Sequence, residues 1–355
     1  MQRLEKLKAQ FDAMYVDAFV VTNHINIKYL TGFNLNEGDG CLLVSANHAY
    51  LITDDRYQQA LQEFDQTQLE AVITRDYYGQ LSKLCNQHKV TVLGFESTLA
   101  YNIFEILDEI MLCDIVSFDN VVEQQRAIKA PNEINKLRAA AQLNSAGFNF
   151  LITQIHSGMS EIEVANLLDW WLKKQGASGN SFETIVASGP NAAKPHATAG
   201  QRILQDGDVV TLDFGYFLDG YTADITRTVG IGKIDPILNR IYQIVLQANQ
   251  TVIEHVKAGA DGKKLDAYGR DIIKQAGYGQ YFNHGMGHGI GLSVHELPAS
   301  YGPGAQLQVK NQQVITVEPG IYLPNVGGVR IEDDILVQAD TNEILTNAPT
   351  DLIIL

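Results

Sequence analysis

Two runs of alternating apolar and polar residues, DVVTLDFGYF (208–217) and YTADITRTVG (221–230), are joined through Leu218, Asp219 and Gly220. An Asp-Gly pair between such runs is the strongest short-range signal for a β-hairpin. A two-residue turn at Asp219-Gly220 sets the register, because side chains alternate between faces and a one-residue slip would turn every one of them over. Asp213 then stands opposite Thr226, and Asp224 is its diagonal neighbour on the same face. Diagonal neighbours lie about 7–8 Å apart at Cα, near enough for their side chains to converge. Two acids on a strand are ordinarily solvated surface residues. Here Leu212, Phe214, Ile225 and Val229 mark a well-packed hairpin, and unpaired carboxylates converging inside it would repel one another.

The stretch NHGMGHGIGLSVHE (283–296) sets His284, His288 and His295 among glycines at every second position. Histidines four apart would share a helix face, but Gly285, Gly287, Gly289 and Gly291 would each weaken a helix by roughly 1 kcal/mol. A zinc-protease H-E-x-x-H pattern also fails, because Ala299 stands where its second histidine belongs. Nor do alternating glycines make the dinucleotide fingerprint G-x-G-x-x-G. What remains is an extended backbone approached closely by another chain or a ligand. On a strand His284 and His288 share a face. His295 has the opposite parity, so it needs a bend or bulge to join them.

A second strand-rich block, NQQVITVEPGIYLPNVGGVRIEDDILV (311–337), carries Glu318 before Pro319-Gly320, and Arg330 and Glu332 two apart on one strand face. An Arg and a Glu so spaced are usually a solvated edge. Yet two β-rich blocks each deliver a pair of acids and each follows helical sequence, which hints at an internal duplication with no repeat at the level of identity.

The N-terminal half alternates differently. Leu4, Leu7, Phe11 and Met14 recur at helical spacing, and DAFVVT (17–22) reads as a buried strand. CLLVS, AYLIT, LEAVIT and KVTVLGF read as further strands, with helical DRYQQALQEF and IFEILDEIML between them, an α/β pattern. Pro131 is placed to open a helix. The stripe Ile134, Leu137, Ala141, Phe148, Leu151 and Ile155 runs to Gly158 as its C-cap, with His156 complementing the helix dipole. In the next amphipathic segment, SEIEVANLLDWWLKKQG, Trp170 and Trp171 read as packing residues. The boundary falls between residues 120 and 131, giving domains 1–124 and 125–355.

Composition narrows the function classes. A 45% hydrophobic content with 19% charged residues suits a packed interior. The net charge of −15, from 41 acids against 26 bases, argues against nucleic-acid binding. Acids at the N-terminus interrupt any signal-peptide core, and no apolar run approaches the roughly 20 residues of a membrane span. Cys41, Cys85 and Cys113 are too few and scattered for a disulfide framework or zinc cluster, and read as buried, reduced thiols of a cytoplasmic protein.

Taken together, SGPNAAKPHATAG, DGDVVTLDFGYFLDGYTADITRT, HGMGHGIGLSVHE, TVEPGIY and GGVRIEDD resemble the Xaa-Pro aminopeptidase and prolidase (Xaa-Pro dipeptidase) family of pita-bread metallopeptidases. NIKYLTGF and LITDDRY resemble its creatinase-type N-terminal domain. The resemblance implies an α+β pita-bread catalytic domain, a pseudo-twofold, strongly curved antiparallel sheet covered by helices, after a smaller α/β domain. It implies a dinuclear site of Asp213, Asp224, His288, Glu318 and Glu332. It also implies that His196, His284 and His295 bind substrate and stabilise the tetrahedral intermediate, with Glu318 handling the proton and Arg330 pointing into the same site.

Four carboxylates carry a charge that two divalent ions balance, and mostly oxygen ligands with one imidazole suit Mn²⁺, or else Co²⁺ or Zn²⁺. The implied substrates are small peptides with proline second, and the implied assembly is a homodimer or larger homo-oligomer whose N-terminal domain caps the groove. Met286, where the family has a small hydroxylic residue, bears on the polarity of the pocket. A methionine aminopeptidase is disfavoured by the long N-terminal half and by GGVRIEDD. A metal-free binding scaffold or creatinase-like hydrolase is disfavoured because such relatives lose ligands and this chain keeps all five. Between the two Xaa-Pro activities, the compact N-terminal half and its ITDDRY match favour the aminopeptidase.

Overall fold

The apolar runs of the N-terminal half assemble into one mixed sheet. The computed structural model describes residues 2–64 and 69–355, and the chain divides into two units, Met1–Arg126 and Ala127–Leu355. Among the described residues of the first unit, six strands lie in the order Glu70–Ile73, Ala49–Thr53, Gly40–Ser45, Ala18–Val21, Val92–Glu96, Asp114–Phe118. Ala18–Val21 is buried throughout because it is a continuous apolar run with a neighbour on each side, antiparallel on one and parallel on the other. The edge strand Asp114–Phe118 had no sequence signal, since its DIVSF is largely exposed and lacks alternation. The expected helix at DRYQQALQEF shrinks to a 3₁₀ turn at Asp55–Tyr57, capped by the Asp54 side chain, and a short helix Gln58–Gln62. Cys41 and Cys85 are buried, and burial pushes both thiols up to about 12. Cys113 is only partly buried, unlike the expectation that all three lie inside.

In the second unit the order helix pair, then antiparallel strands, occurs twice. Helices Pro131–Leu151 and Glu161–Lys174 precede the strands Ile185–Ser188, Val209–Phe214 and Ile225–Gly230. Helices Pro236–His255 and Gly262–Gln275 precede the strands from Gly287–Gly289 to Asn342–Ile344. Pro131 opens its helix, where its missing N–H leaves nothing unpaired. The next helix starts at a capping box, with Ser160 and Glu163 satisfying each other's backbone N–H.

Three expectations for these helices are corrected. The first helix ends at Leu151 rather than at Gly158, and the chain then tightens, with Gln154 and Ile155 both bonding to the Leu151 carbonyl. Ile155 stays buried because this extra turn continues the stripe. His156 therefore lies beyond the helix, its Nδ1 bonded to the Ser157 carbonyl at 2.8 Å, and does not serve the dipole. Trp171 stacks on Phe150 with ring centroids 5.0 Å apart, but Trp170 is 54% exposed. Adjacent helical positions point about 100° apart, so one buried face cannot take both rings.

The hairpin forms in the expected register. Leu218 and Tyr221 exchange backbone bonds of 2.8 and 3.0 Å around Asp219 (φ 50°) and Gly220 (φ 80°), the two positive angles that a type I′ turn requires. Asp213 pairs with Thr226. Leu212, Phe214, Ile225 and Val229 bury one face against Phe148, Leu168 and Leu172 of the first helix pair. The second helix pair covers Ile315, Val317 and Ile335 in the same manner. Among the described residues no helix is long and apolar enough to cross a membrane.

Candidate metal centre

The strands after residue 313 change partners in the middle, and the acids sit at the change. Val314–Val317 pairs with Asp333–Val337, whereas Gly320–Leu323 pairs with Gly327–Arg330 as a separate ribbon. Glu318-Pro319 and Ile331-Glu332 fall in the two gaps. Pro319 has no N–H for a ladder, which makes the break natural there. Glu332 bonds across to the hairpin instead, its N–H donating to the Thr226 carbonyl at 3.0 Å. The break thus sets Glu318 and Glu332 against the hairpin face that carries Asp213 and Asp224.

The histidine stretch reaches the same place because glycine lets it. A Cβ on Gly287 would lie 2.0 Å from the Thr316 carbonyl oxygen, and one on Gly289 would lie 2.5 Å from Leu297 backbone. The short strand Gly287–Gly289 is bulged against Glu296–Tyr301, and the displaced backbone brings His295 to His288, with ring centroids 4.2 Å apart. His284 lies in the bend before the strand. The buried Glu296 carboxylate shapes the intervening loop, accepting from the Ser293 N–H at 2.9 Å and pairing with the buried Lys129 at 3.2 Å.

Asp213, Asp224, His288, Glu318, Glu332, His196, His284, His295 and Arg330 all line one cavity of about 310 Å³. Ligand atoms of Asp224, His288 and Glu332 lie within 4.8 Å of one another. His288 Nε2 stands 3.7 Å from a carboxylate oxygen of Asp224 and 3.7 Å from one of Glu318. Those spacings are too long for hydrogen bonds and suit donors that share an ion. His288 Nδ1 donates to the Gly289 carbonyl at 3.1 Å, which leaves the Nε2 lone pair facing the acids.

The electrostatics ask for cations. Burial, followed by the neighbouring carboxylates, pushes Asp224 and Glu332 well above the usual range. Burial raises Glu318 to about 8, with Asp213 adding to the shift and Arg330 opposing it. Burial lowers His288 to about 4, with His295 adding to it, so the imidazole is neutral at pH 7 and able to act as a ligand. Arg330 pairs with Asp213, but one guanidinium cannot balance four carboxylates. The buried Oδ1 atoms of Asp213 and Asp224 accept no hydrogen bond from any described residue. Such orphaned acceptors normally carry a penalty of about 1–3 kcal/mol or more, which metal ligation would remove. The residues fit divalent ions.

Around the acids runs a hydrogen-bond chain that sequence reading had only half seen. Arg330 donates to the Tyr322 hydroxyl at 2.8 Å, and that hydroxyl meets His284 Nε2 at 2.8 Å. His284 Nδ1 bonds to the Gly285 carbonyl at 2.8 Å, so both its ring nitrogens are engaged. Among the described residues no side-chain hydrogen bond restrains the rings of His196 or His295. Thr226 accepts from Arg330 Nε at 3.1 Å and donates to Glu332 at 2.6 Å. Asp334 accepts from the Asp224 N–H at 3.1 Å. The register had placed Thr226 opposite Asp213 without suggesting this task, and nothing in the sequence pointed to Tyr322 or Asp334. A Thr226→Val substitution keeps the shape and removes both bonds. Metal affinity is expected to fall about 10–100-fold, measured by titration into the metal-stripped protein, with Thr226→Ser close to wild type.

Met286 has no part in the cavity. It is fully buried in the second core, its Cε 2.7 Å from where a Cβ on Gly269 would sit. The polarity of the pocket does not depend on it, contrary to the expectation from the sequence.

Residues 135–339 match metallopeptidase family M24, and residues 3–128 match the creatinase/prolidase N-terminal domain. The chain is 37% identical to the uncharacterized peptidase YqhT of Bacillus subtilis, over 99% of this chain and 100% of that one. Its fold superposes on a solved Xaa-Pro dipeptidase from Bacillus anthracis with a TM-score of 0.95 and 40% identity, covering 100% and 99% of the two chains. An X-Pro aminopeptidase from Thermotoga maritima gives a TM-score of 0.92 at 35% identity, covering 99% of each. With its acids and histidine gathered in a pita-bread unit that follows a creatinase-type domain along the chain, the protein belongs to metallopeptidase family M24.

Proposed function

We propose that this protein is a dinuclear, metal-dependent exopeptidase that hydrolyses the bond between an N-terminal residue and proline. The observation that carries the reading is the convergence of Asp213, Asp224, His288, Glu318 and Glu332 on one cavity with orphaned carboxylate oxygens. Those residues would hold two divalent ions, Mn²⁺ by preference and Co²⁺ or Zn²⁺ as substitutes. Bound there, the ions would supply Lewis acidity, easing deprotonation of water and polarising the scissile carbonyl.

The remaining tasks fall to the chain. Glu318 takes the water's proton and passes it to the proline nitrogen, which leaves poorly unless protonated. His196 and His295 offer unrestrained ring nitrogens to the side of the cavity where carbonyl charge develops. Arg330, held by Asp213, Tyr322 and Thr226, keeps the acids in place beside the proline side. His284 steadies Tyr322.

Relatives spanning the full chain include both an Xaa-Pro dipeptidase and an X-Pro aminopeptidase. The higher identity to the dipeptidase favours Ala-Pro-like dipeptides as substrates, against the sequence-based leaning to an aminopeptidase. Free thiols support a cytoplasmic setting, and the family resemblance supports a homodimer. Ala-Pro hydrolysis under Mn²⁺ is expected to exceed that of Ala-Pro-Ala, to vanish after exhaustive chelation and to return on adding Mn²⁺. Undiminished turnover after chelation rules the reading out.

A further inference from the structure

His196 sits on an exposed loop, yet the proposed reaction needs it at a defined point of the cavity wall. Ala192 anchors the first part of that loop, buried where its carbonyl meets Gly328. Beyond it, Lys194 N–H reaches the Asn191 carbonyl at 2.9 Å and Ala197 N–H reaches the Lys194 carbonyl at 3.3 Å. Neither bond ties the His196 segment to the rest of the protein. Ala197 and Ala199 pack against the two cores, the Gly200 carbonyl accepts from the Ile162 N–H at 3.0 Å, and a buried carboxylate adds a polar anchor.

Glu161, first residue of the helix Glu161–Lys174, is 0% exposed. Its Oε1 accepts from the Ser188 N–H at 2.8 Å and the Ser188 hydroxyl at 2.7 Å, on the strand that leads into the loop. The Asn191 side-chain amide donates to both of its oxygens, at 3.1 and 3.2 Å. Its Oε2 accepts from the Gly200 N–H at 3.2 Å, where the loop ends. One buried carboxylate therefore holds the beginning, the first turn and the end of the segment that presents Pro195 and His196. Its charge is met by these donors and by the positive end of its own helix. The Ser188 hydroxyl also accepts from Arg202, which is locked to Asp208 by bonds of 2.6 and 2.9 Å.

We propose that Glu161 is a positioning residue: it acts through the 189–200 loop to hold His196 against the cavity. The claim rests on the peptidase reading for its kinetic consequence, but its structural consequence stands apart from that reading. Glutamine in place of Glu161 has one oxygen fewer and turns an N–H₂ group toward donors, so the loop ends lose their shared anchor.

In the Mn²⁺-loaded protein, Glu161→Gln is expected to raise hydrogen exchange of amides 189–199 at least tenfold, leaving the helix Pro236–His255 and the bound-metal ratio unchanged. With Ala-Pro, kcat/KM should fall about 10²-fold, the cost of a misplacement near 1 Å, and to the level of His196→Ala. The double variant Glu161→Gln/His196→Ala should fall no further. Unchanged exchange in the loop overturns the proposal whether or not Ala-Pro is cleaved, and so do single effects that multiply in the double variant. Absence of Ala-Pro cleavage by the wild type, with loop exchange raised in the variant, instead removes the peptidase reading and keeps the anchor. If Glu161→Gln does not fold, Asn191→Ala removes one donor from the same anchor and should shift exchange in the same direction by a smaller factor, an unchanged value overturning the claim.

Discussion

Glu318→Gln is expected to lower turnover of Ala-Pro by about 10³-fold or more, within the 10²–10⁴ range for losing a general acid–base, with loss of a metal ligand added to it. Glutamine keeps the length and one oxygen of the side chain, but it can neither take a proton from water nor deliver one to the proline nitrogen. Glu318 sits in the gap between two strand pairings, 3.7 Å from His288 Nε2, so the substitution need not disturb either ladder. Stability is expected to hold or rise, because removing one of several crowded, buried acids relieves repulsion in the metal-free protein. Metal analysis separates the two roles. Retention of the ion held among Asp224, His288 and Glu332 with activity lost assigns Glu318 to proton transfer. Activity within threefold of wild type would remove Glu318 from the mechanism.

Arg227→Met is expected to lower the unfolding free energy by about 3–5 kcal/mol, the typical result of removing one partner from a buried ion pair. Arg227 is 1% exposed, and its guanidinium pairs with Asp333 at 2.6 Å. It also donates to the Thr226 and Glu332 carbonyls at 2.9 and 2.6 Å, and to those of Pro349 and Ala348 at 2.8 and 2.9 Å. Three separated segments meet on one side chain: the hairpin, the strand junction at Glu332 and the C-terminal stretch. Methionine fills the volume but takes one donor from Asp333 and from each of four carbonyls, leaving Asp333 the Thr346 hydroxyl and the Thr226 carbonyl the Glu332 N–H. Urea unfolding with unchanged m-value measures the loss. A change below 1 kcal/mol would show that water replaces the guanidinium and that the junction does not need it. Because Glu332 is among the groups released, metal affinity should fall in parallel.

What could be read from residues alone followed from local rules. The Asp219-Gly220 turn needs two positive φ angles, and so dictated that Asp213 faces Thr226. The crowded glycines of 285–291 announced close backbone approach, because no other residue tolerates it. Errors arose where a local pattern continued past its cause. The apolar stripe from Ile134 runs on to Ile155, yet the helix stops at Leu151, since a tighter turn can extend the same face. Adjacent tryptophans read as a buried pair, yet Trp171 stacks on Phe150 while Trp170 stays exposed beneath the Lys174 ammonium. The strand Asp114–Phe118 carried no periodic signal, because pairing with a neighbour, rather than burial, makes it a strand.

The hairpin register, the helix starts at Pro131 and Ser160, and the residue types suited to divalent ions were legible from local sequence, because turn angles, capping and ligand chemistry are properties of a few neighbouring residues. Long-range packing set Glu332 against the hairpin, linked Arg330 to His284 through Tyr322, and turned Met286 into the core. Each of these depends on which strand a segment pairs with after the break at Pro319, and that choice is made by packing between residues a hundred positions apart.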